Sequence, residues 1–273
     1  MINLLKIEWL KIKNYGAFKI LAIFFIVGIV LVNYVVFIIN KNIVADTTAG
    51  AMLSFSPYNF ENTWQTTSYA TGYLLILPAM ILMMLITNEY SFRTNRQNVI
   101  DGWSRAEFIT VKLTMALIIA VLSTLIVFLT ALGFGFASDS SFSFNGVSHV
   151  GFFFLKALTY CVFAVLVSVL VKKTGFAIGL FFIYLAFENF VSQMLDLLSS
   201  KIKIDHNVDL GSMGSYLPLN AADGLLTFPD NVIKDMAKGN LPTDYTWLVL
   251  ALAIGYLCLF AWWSMRKYIK ADL

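Results

Sequence analysis

The chain has 273 residues, 59% hydrophobic and 13% charged, with a mean hydropathy of +0.77 and a formal net charge of +3. A soluble domain of this length could not bury so much apolar surface, so the composition excludes one and predicts an all-α polytopic membrane protein. Its two cysteines, Cys161 and Cys258, lie inside apolar runs and its two histidines stand alone, which excludes a disulfide framework and a metal centre. No nucleic-acid partner is expected.

The first 19 residues are basic and apolar, with Lys6, Lys11, Lys13 and Lys19. Ile2, Leu5, Trp9 and Ile12 share one helical stripe, while Leu4, Ile7 and Leu10 lie off it. A helix lying at the inner membrane interface, its lysines reaching for anionic headgroups, fits this stretch, as does an ordinary flanking segment that only sets topology. Residues 20–39 form an uncharged run longer than a signal-peptide core of about 7–15 residues. The small-residue site Ala49-Gly50-Ala51 lies ten residues past its end, so a retained spanning helix is expected.

Five further segments reach the length a span needs, about 20 mostly apolar residues: 69–87, 113–137, 150–171, 174–198 and 245–265. Each is expected to be helical, because lipid offers backbone groups no partner. Lys156, near the start of the fourth, is expected to snorkel to an interface. Pro57, Tyr58, Phe60 and Trp64 suit an interfacial belt at the end of the loop over 40–68. The longest loop, 199–244, alternates glycines with Pro218, Pro229 and Pro242 and leaves room only for short helical pieces at the outer surface.

Six spans place 13 of the 19 Lys and Arg residues on one side, with five of the 16 acidic residues. The net charge is +8 there and −5 opposite. The positive-inside rule then puts both termini and the 89–112 segment in the cytoplasm.

That segment, EYSFRTNRQNVIDGWSRAEFITVK, carries seven charges between two apolar runs: Glu89, Arg93, Arg96, Asp101, Arg105, Glu107 and Lys112. Thr94 or Asn95 can cap a short helix through Asn98, Val99 and Ile100, which Gly102 would end. Ser104-Arg105-Ala106-Glu107 matches the capping box S-x-x-E, a sharp helix restart. These residues alone fit a solvated loop with a helix cap at least as well as a docking platform.

With Glu89, Arg93-Thr94, Ser104-Arg105 and Lys112 in this order, the chain resembles the membrane subunit of a type 2 ABC transporter, a permease of the exporter class. The sequence has Gly102-Trp103 where that family often has a proline before the Ser-Arg pair. The resemblance covers the whole chain, read as a single permease domain over 1–273, as a layout and this segment as a motif. It implies an elbow helix over 1–19 and short re-entrant helices before the sixth span, which the broken character of 188–200 suits. It also implies that 89–112 is a coupling helix docking on a separate ATPase. Glu89, Arg93, Arg96, Asp101, Ser104, Arg105 and Glu107 are then the coupling residues. Two ATPase copies, holding ATP and Mg, would join two permease copies, identical or close paralogues, in a bacterial inner membrane. The chain itself has no G-x-x-x-x-G-K-[ST] phosphate loop, so a cofactor-free, non-catalytic subunit is expected.

Glu188, Ser192 and Asp196 recur every fourth residue in the fifth span, and a charge inside a span is costly. They are candidates for a translocation path or for the re-entrant fold. Asn33 can bond across a helix interface, and Gly175-x-x-x-Gly179 permits close helix approach. These three residues, on the first and fifth spans, are expected at the dimer contact, mostly by resemblance. A lipid-modifying membrane enzyme would want paired carboxylates or a Ser/His set, and only Glu89 with Asp101 offers a cytosolic acidic pair. A gradient-driven transporter would want buried charges in several spans.

Overall fold

The computed structural model describes residues 2–13, 15–46, 58–92, 94, 102–138, 141–229 and 242–270. Arg93, Arg96 and Asp101, and the short helix expected through Asn98, lie outside them. Among the described residues the structure is helical, with no strand. Helix α1 (Ile2–Lys13) precedes α2 (Gly16–Asp46); α3 (Phe60–Gly72) and α4 (Ile76–Ser91) follow, joined by a 3-10 turn at Tyr73–Leu75. Then come α5 (Arg105–Ala137), α6 (Ser148–Val171), α7 (Thr174–His206), the short α8 (Asn220–Asp223) and α9 (Thr246–Lys270).

Six stretches are long and apolar enough to cross a membrane: Gly16–Ile39, Phe60–Ser91, Arg105–Ala137, Ser148–Val171, Thr174–His206 and Thr246–Lys270. This is a multi-pass membrane protein. Buried residues make up 72% of the most apolar window of α6, against 17% in α2 and 22% in α7 and α9. Helix α6 is therefore the axis around which the others pack.

The second span begins earlier than its hydropathy indicates. Residues 60–68 are polar in sequence but helical, and Phe60 and Trp64 are fully buried rather than set in an interfacial belt. Trp64 stacks on Phe128 of α5 and donates Nε1–H to the Ser143 carbonyl at 2.9 Å. Thr63 returns its hydroxyl to the carbonyl four residues back, as does Thr71, while the buried hydroxyls of Thr67 and Ser68 find no partner among the described residues. Pro78 accounts for the 3-10 turn: its ring crowds the carbonyl of Leu74, four residues earlier, and the helix tightens there.

The fifth span is an unbroken helix to His206, not a helix broken over 188–200. Its 33 residues reach about 50 Å at 1.5 Å per residue, well past a hydrocarbon core of about 30 Å. The left-handed Asn207 (φ 55°) ends it, a conformation Asn adopts more readily than most residues.

Candidate functional site

Each flank of the 89–112 segment is fixed by its own residues. At its far end the capping box forms as written. Ser104 is extended (φ −73°, ψ 149°) and its hydroxyl accepts from Glu107 N–H at 3.1 Å, while the Glu107 carboxylate accepts from Ser104 N–H at 2.9 Å. Gly102 at φ 98° makes the turn just before it, a backbone conformation open to glycine. The restart of α5 is therefore set to the residue, with Arg105 donating Nη1–H to the Ile269 carbonyl of α9 at 3.1 Å.

Below this loop four charged side chains from three helices form a knot. Lys112 of α5 donates to Glu8 Oε2 at 2.6 Å and to Glu89 Oε1 at 2.7 Å. Lys11 of α1 donates to Glu8 Oε1 at 3.0 Å and to Glu89 Oε1 at 2.8 Å. The side chains of Lys112, Glu8 and Glu89 are 2%, 3% and 6% exposed, so the knot is cut off from water on all but the Lys11 side. Its formal charge sums to zero, which is what permits burial. Burial drives the Glu8 carboxyl up, but the charges and hydrogen bonds of Lys112 and Lys11 outweigh it and hold Glu8 below its ordinary value. Burial likewise drives Lys11 down, and Glu89 and Glu8 more than reverse it, leaving Lys11 raised.

Around the knot, Phe108 lies under the Lys112 ammonium at 4.9 Å and stacks on Tyr268 of α9 at 4.8 Å with planes 7° apart. Lys172, at the α6–α7 turn, sits over the Tyr90 ring at 5.6 Å. Thr87 and Thr174 share a hydroxyl hydrogen bond of 2.8 Å. The segment's two flanks are thus joined to α1, α6, α7 and α9 at one end of the bundle. A cavity of about 200 Å³ opens beside the knot, lined by Glu8, Lys11, Tyr15, Asn88, Glu89 and Thr94 among others.

Glu89 therefore departs from its expected docking role. It is turned into the protein, because α1 supplies Glu8 and Lys11 as its company. Ser104 and Glu107 are bound to each other, and Arg105 ties α5 to α9. Glu8, Lys11 and Lys112 were not among the expected site residues. One sign was present: Glu8 is the sole acidic residue in a basic stretch, four positions before Ile12, which is 2% exposed.

A second polar centre lies toward the opposite end. Glu188 of α7 accepts from the N–H groups of Leu219 and Asn220 at 2.6 and 2.8 Å, at the start of α8. About two turns of helix beyond, Asp196 accepts from Gly214 N–H at 2.8 Å, and Ser199 donates to the Gly211 carbonyl. Gly214 lies against Ser192, so close that a Cβ there would meet the Ser192 carbonyl at 2.6 Å. The polar series of α7 fastens the 211–226 segment down. Lys156 turns into the bundle and not outward. It is 6% exposed and pairs with Asp223 at 3.2 Å, with Tyr160 donating its hydroxyl to the same carboxylate at 3.0 Å. Farther out, Asp209 accepts from Thr243 and Gly211 and pairs with Lys203 at 3.0 Å, which together hold its carboxyl well below the ordinary range.

Asn33 is fully buried and bonds within the chain, to Ile29 and to Thr71 of α3, while receiving the Tyr58 hydroxyl. It joins α2 to α3 and has no side-chain surface to offer a second copy. Gly175 and Gly179 do face open space, with nothing within 4 Å of an added Cβ. Among the described residues no three His, Cys, Asp or Glu side chains converge as a metal set.

No protein-family model matches this chain, and no curated protein does.

Proposed function

We propose that the chain is the transmembrane permease subunit of an ATP-driven ABC exporter in a bacterial cytoplasmic membrane. It moves an amphiphilic substrate, such as a lipid, peptide or drug-like molecule, and takes its energy from a separate ATPase that holds the ATP and Mg. Both termini and the 89–112 segment face the cytoplasm in this reading, α1 is the elbow helix, and two permease copies work with two ATPases.

The supporting observation is the mounting of the 89–112 segment. Glu89 at one end and Lys112 at the other are bonded directly to each other and to α1. A force on the intervening residues cannot simply flex a loop. It is delivered to α1, α4 and α5 together, and through Phe108–Tyr268 and Arg105 to α9. An ATPase closing beneath the segment would shift the population between inward- and outward-facing states through this joint. Arg93, Arg96 and Asp101 are the proposed grip for the partner, and the glycine face of α7 the proposed contact with the second copy.

The test uses the chain co-expressed with its cognate ATPase and reconstituted together. Arg96→Glu is expected to lower substrate-linked ATP hydrolysis at least tenfold while the melting temperature of the permease stays unchanged. Full coupling in that variant, or full-rate transport by the chain alone in vesicles, refutes the reading.

A further inference from the structure

At the basic end of α9, six consecutive outward positions are occupied by Leu259, Trp262, Trp263, Arg266, Lys267 and Lys270. At 100° per residue they cover an arc of about 140° on one helix face. Together they line an open groove of about 570 Å³. The opposite face of the same helix is committed to the bundle: Phe260, Ser264 and Tyr268 are buried, and Tyr268 is stacked on Phe108. The groove therefore opens to the surroundings of the bundle, not to its interior.

Its chemistry is divided along the helix axis. The lower part is apolar and aromatic, with Trp262 and Trp263 each about half exposed. The upper part holds three exposed cations that make no ion pair among the described residues. Arg266 lies over the Trp262 ring at 5.0 Å, which sets its guanidinium at the junction of the two parts. From Trp262 to Lys270 the helix rises about 12 Å. That is the layout of one amphiphile with a negative head: three fixed positive charges above, an indole-lined wall below.

We propose that this face is a binding site for an anionic phospholipid, its phosphate held by Arg266, Lys267 and Lys270 and an acyl chain lying along Trp262, Trp263 and Leu259. Indoles favour the headgroup boundary, and a basic cluster beside it selects for negative lipid. The inference needs only that α9 spans the membrane and does not rest on the transport reading.

The site can be read locally, because Trp262 and Trp263 report on whatever lies against them. The full chain is reconstituted in vesicles that differ only in carrying phosphatidylglycerol or phosphatidylcholine brominated near the start of one acyl chain. The part of the fluorescence quenching that disappears in the Trp262→Phe/Trp263→Phe variant belongs to this groove. Each basic residue contributes roughly fivefold in affinity for anionic lipid, so the brominated phosphatidylglycerol is expected to quench this part at a roughly tenfold or greater lower mole fraction. Arg266→Gln/Lys267→Gln/Lys270→Gln is expected to equalise the two lipids. Lys270→Gln alone, which leaves the helix less disturbed, is expected to narrow the gap several-fold. Equal quenching by both lipids in the unmodified chain, or a preference that survives the triple substitution, overturns the proposal; so does protection from both lipids, which would mean that protein covers the face.

Discussion

Lys112 is the residue on which the α1 end of the bundle turns. Its ammonium has two carboxylate partners, and both carboxylates are buried with it. Replacing one member of such a group leaves uncompensated charge in a dry place. Lys112→Met is therefore expected to destabilise the chain by about 3–5 kcal/mol, measured by chemical unfolding in detergent. Adding Glu89→Leu, which leaves Glu8 and Lys11 as a neutral pair, should recover part of that loss, and a double variant no more stable than Lys112→Met rules the argument out. Glu8 and Lys11 also set a pH window. Glu8 lies below its ordinary 4.5 in the folded chain, so its contribution is complete above that value and is lost as pH falls through the lower folded value. Lys11 lies above its ordinary 10.5, so its contribution is complete below that value and is lost as pH rises through the raised one. The docking of α1 should hold constant from roughly pH 5 to pH 10. Spin labels at Lys13 and Ala106 would show an unchanging distance over that range and broadening only outside it; a transition near pH 7 contradicts the scheme.

Among the helices, α3 and α7 show what polar residues do when a membrane protein folds. In α3 the threonines lowered the hydropathy enough to hide nine residues of helix, yet the hydroxyls of Thr63 and Thr71 are absorbed by carbonyls four residues back, and Thr71 also receives Asn33. In α7 the spacing of Glu188, Ser192 and Asp196 was plain in the sequence, but Glu188 and Asp196 accept from backbone N–H groups more than 15 residues away, and backbone groups carry no sequence signal. The capping box at Ser104 was legible because both partners lie within four residues. Gly214 tests the α7 contact. Gly214→Ala places a methyl against the Ser192 carbonyl, which cannot swing aside as a side chain could. It is expected to cost about 1–3 kcal/mol by overpacking, seen as a lower melting temperature in detergent. In the monomeric chain Gly175→Ala, with open space around it, should be neutral or slightly stabilising. Equal effects at the two positions would remove the 211–226 segment from its place on α7.

At the level of the whole molecule, the contacts sort into two ends. One gathers α1, the α4–α5 flanks, the α6–α7 turn and the end of α9; the other gathers the aromatic cluster around Trp64 and the segment fastened to α7. Six spans with the basic residues on the first end predict that Arg96 faces the cytoplasm. In a chain with Cys161→Ala and Cys258→Ser, an Arg96→Cys thiol should react with a membrane-impermeant reagent only after the cell is permeabilised. Labelling of intact cells would invert the topology.

Composition and run length by themselves determined the helical class, the membrane setting and the number of spans, because a hydrocarbon slab about 30 Å thick demands about 20 apolar residues of any helix that crosses it and admits only backbone whose hydrogen bonds are met within the protein. What only the tertiary structure decided is where the buried charges go. Glu8, Lys11, Glu89 and Lys112 come from positions up to 104 residues apart, and Lys156 finds Asp223 across 67. Several stand out among their sequence neighbours, but none shows there which partner it takes. A charge can stay buried only beside its complement, and which complement is within reach is a property of how the helices pack.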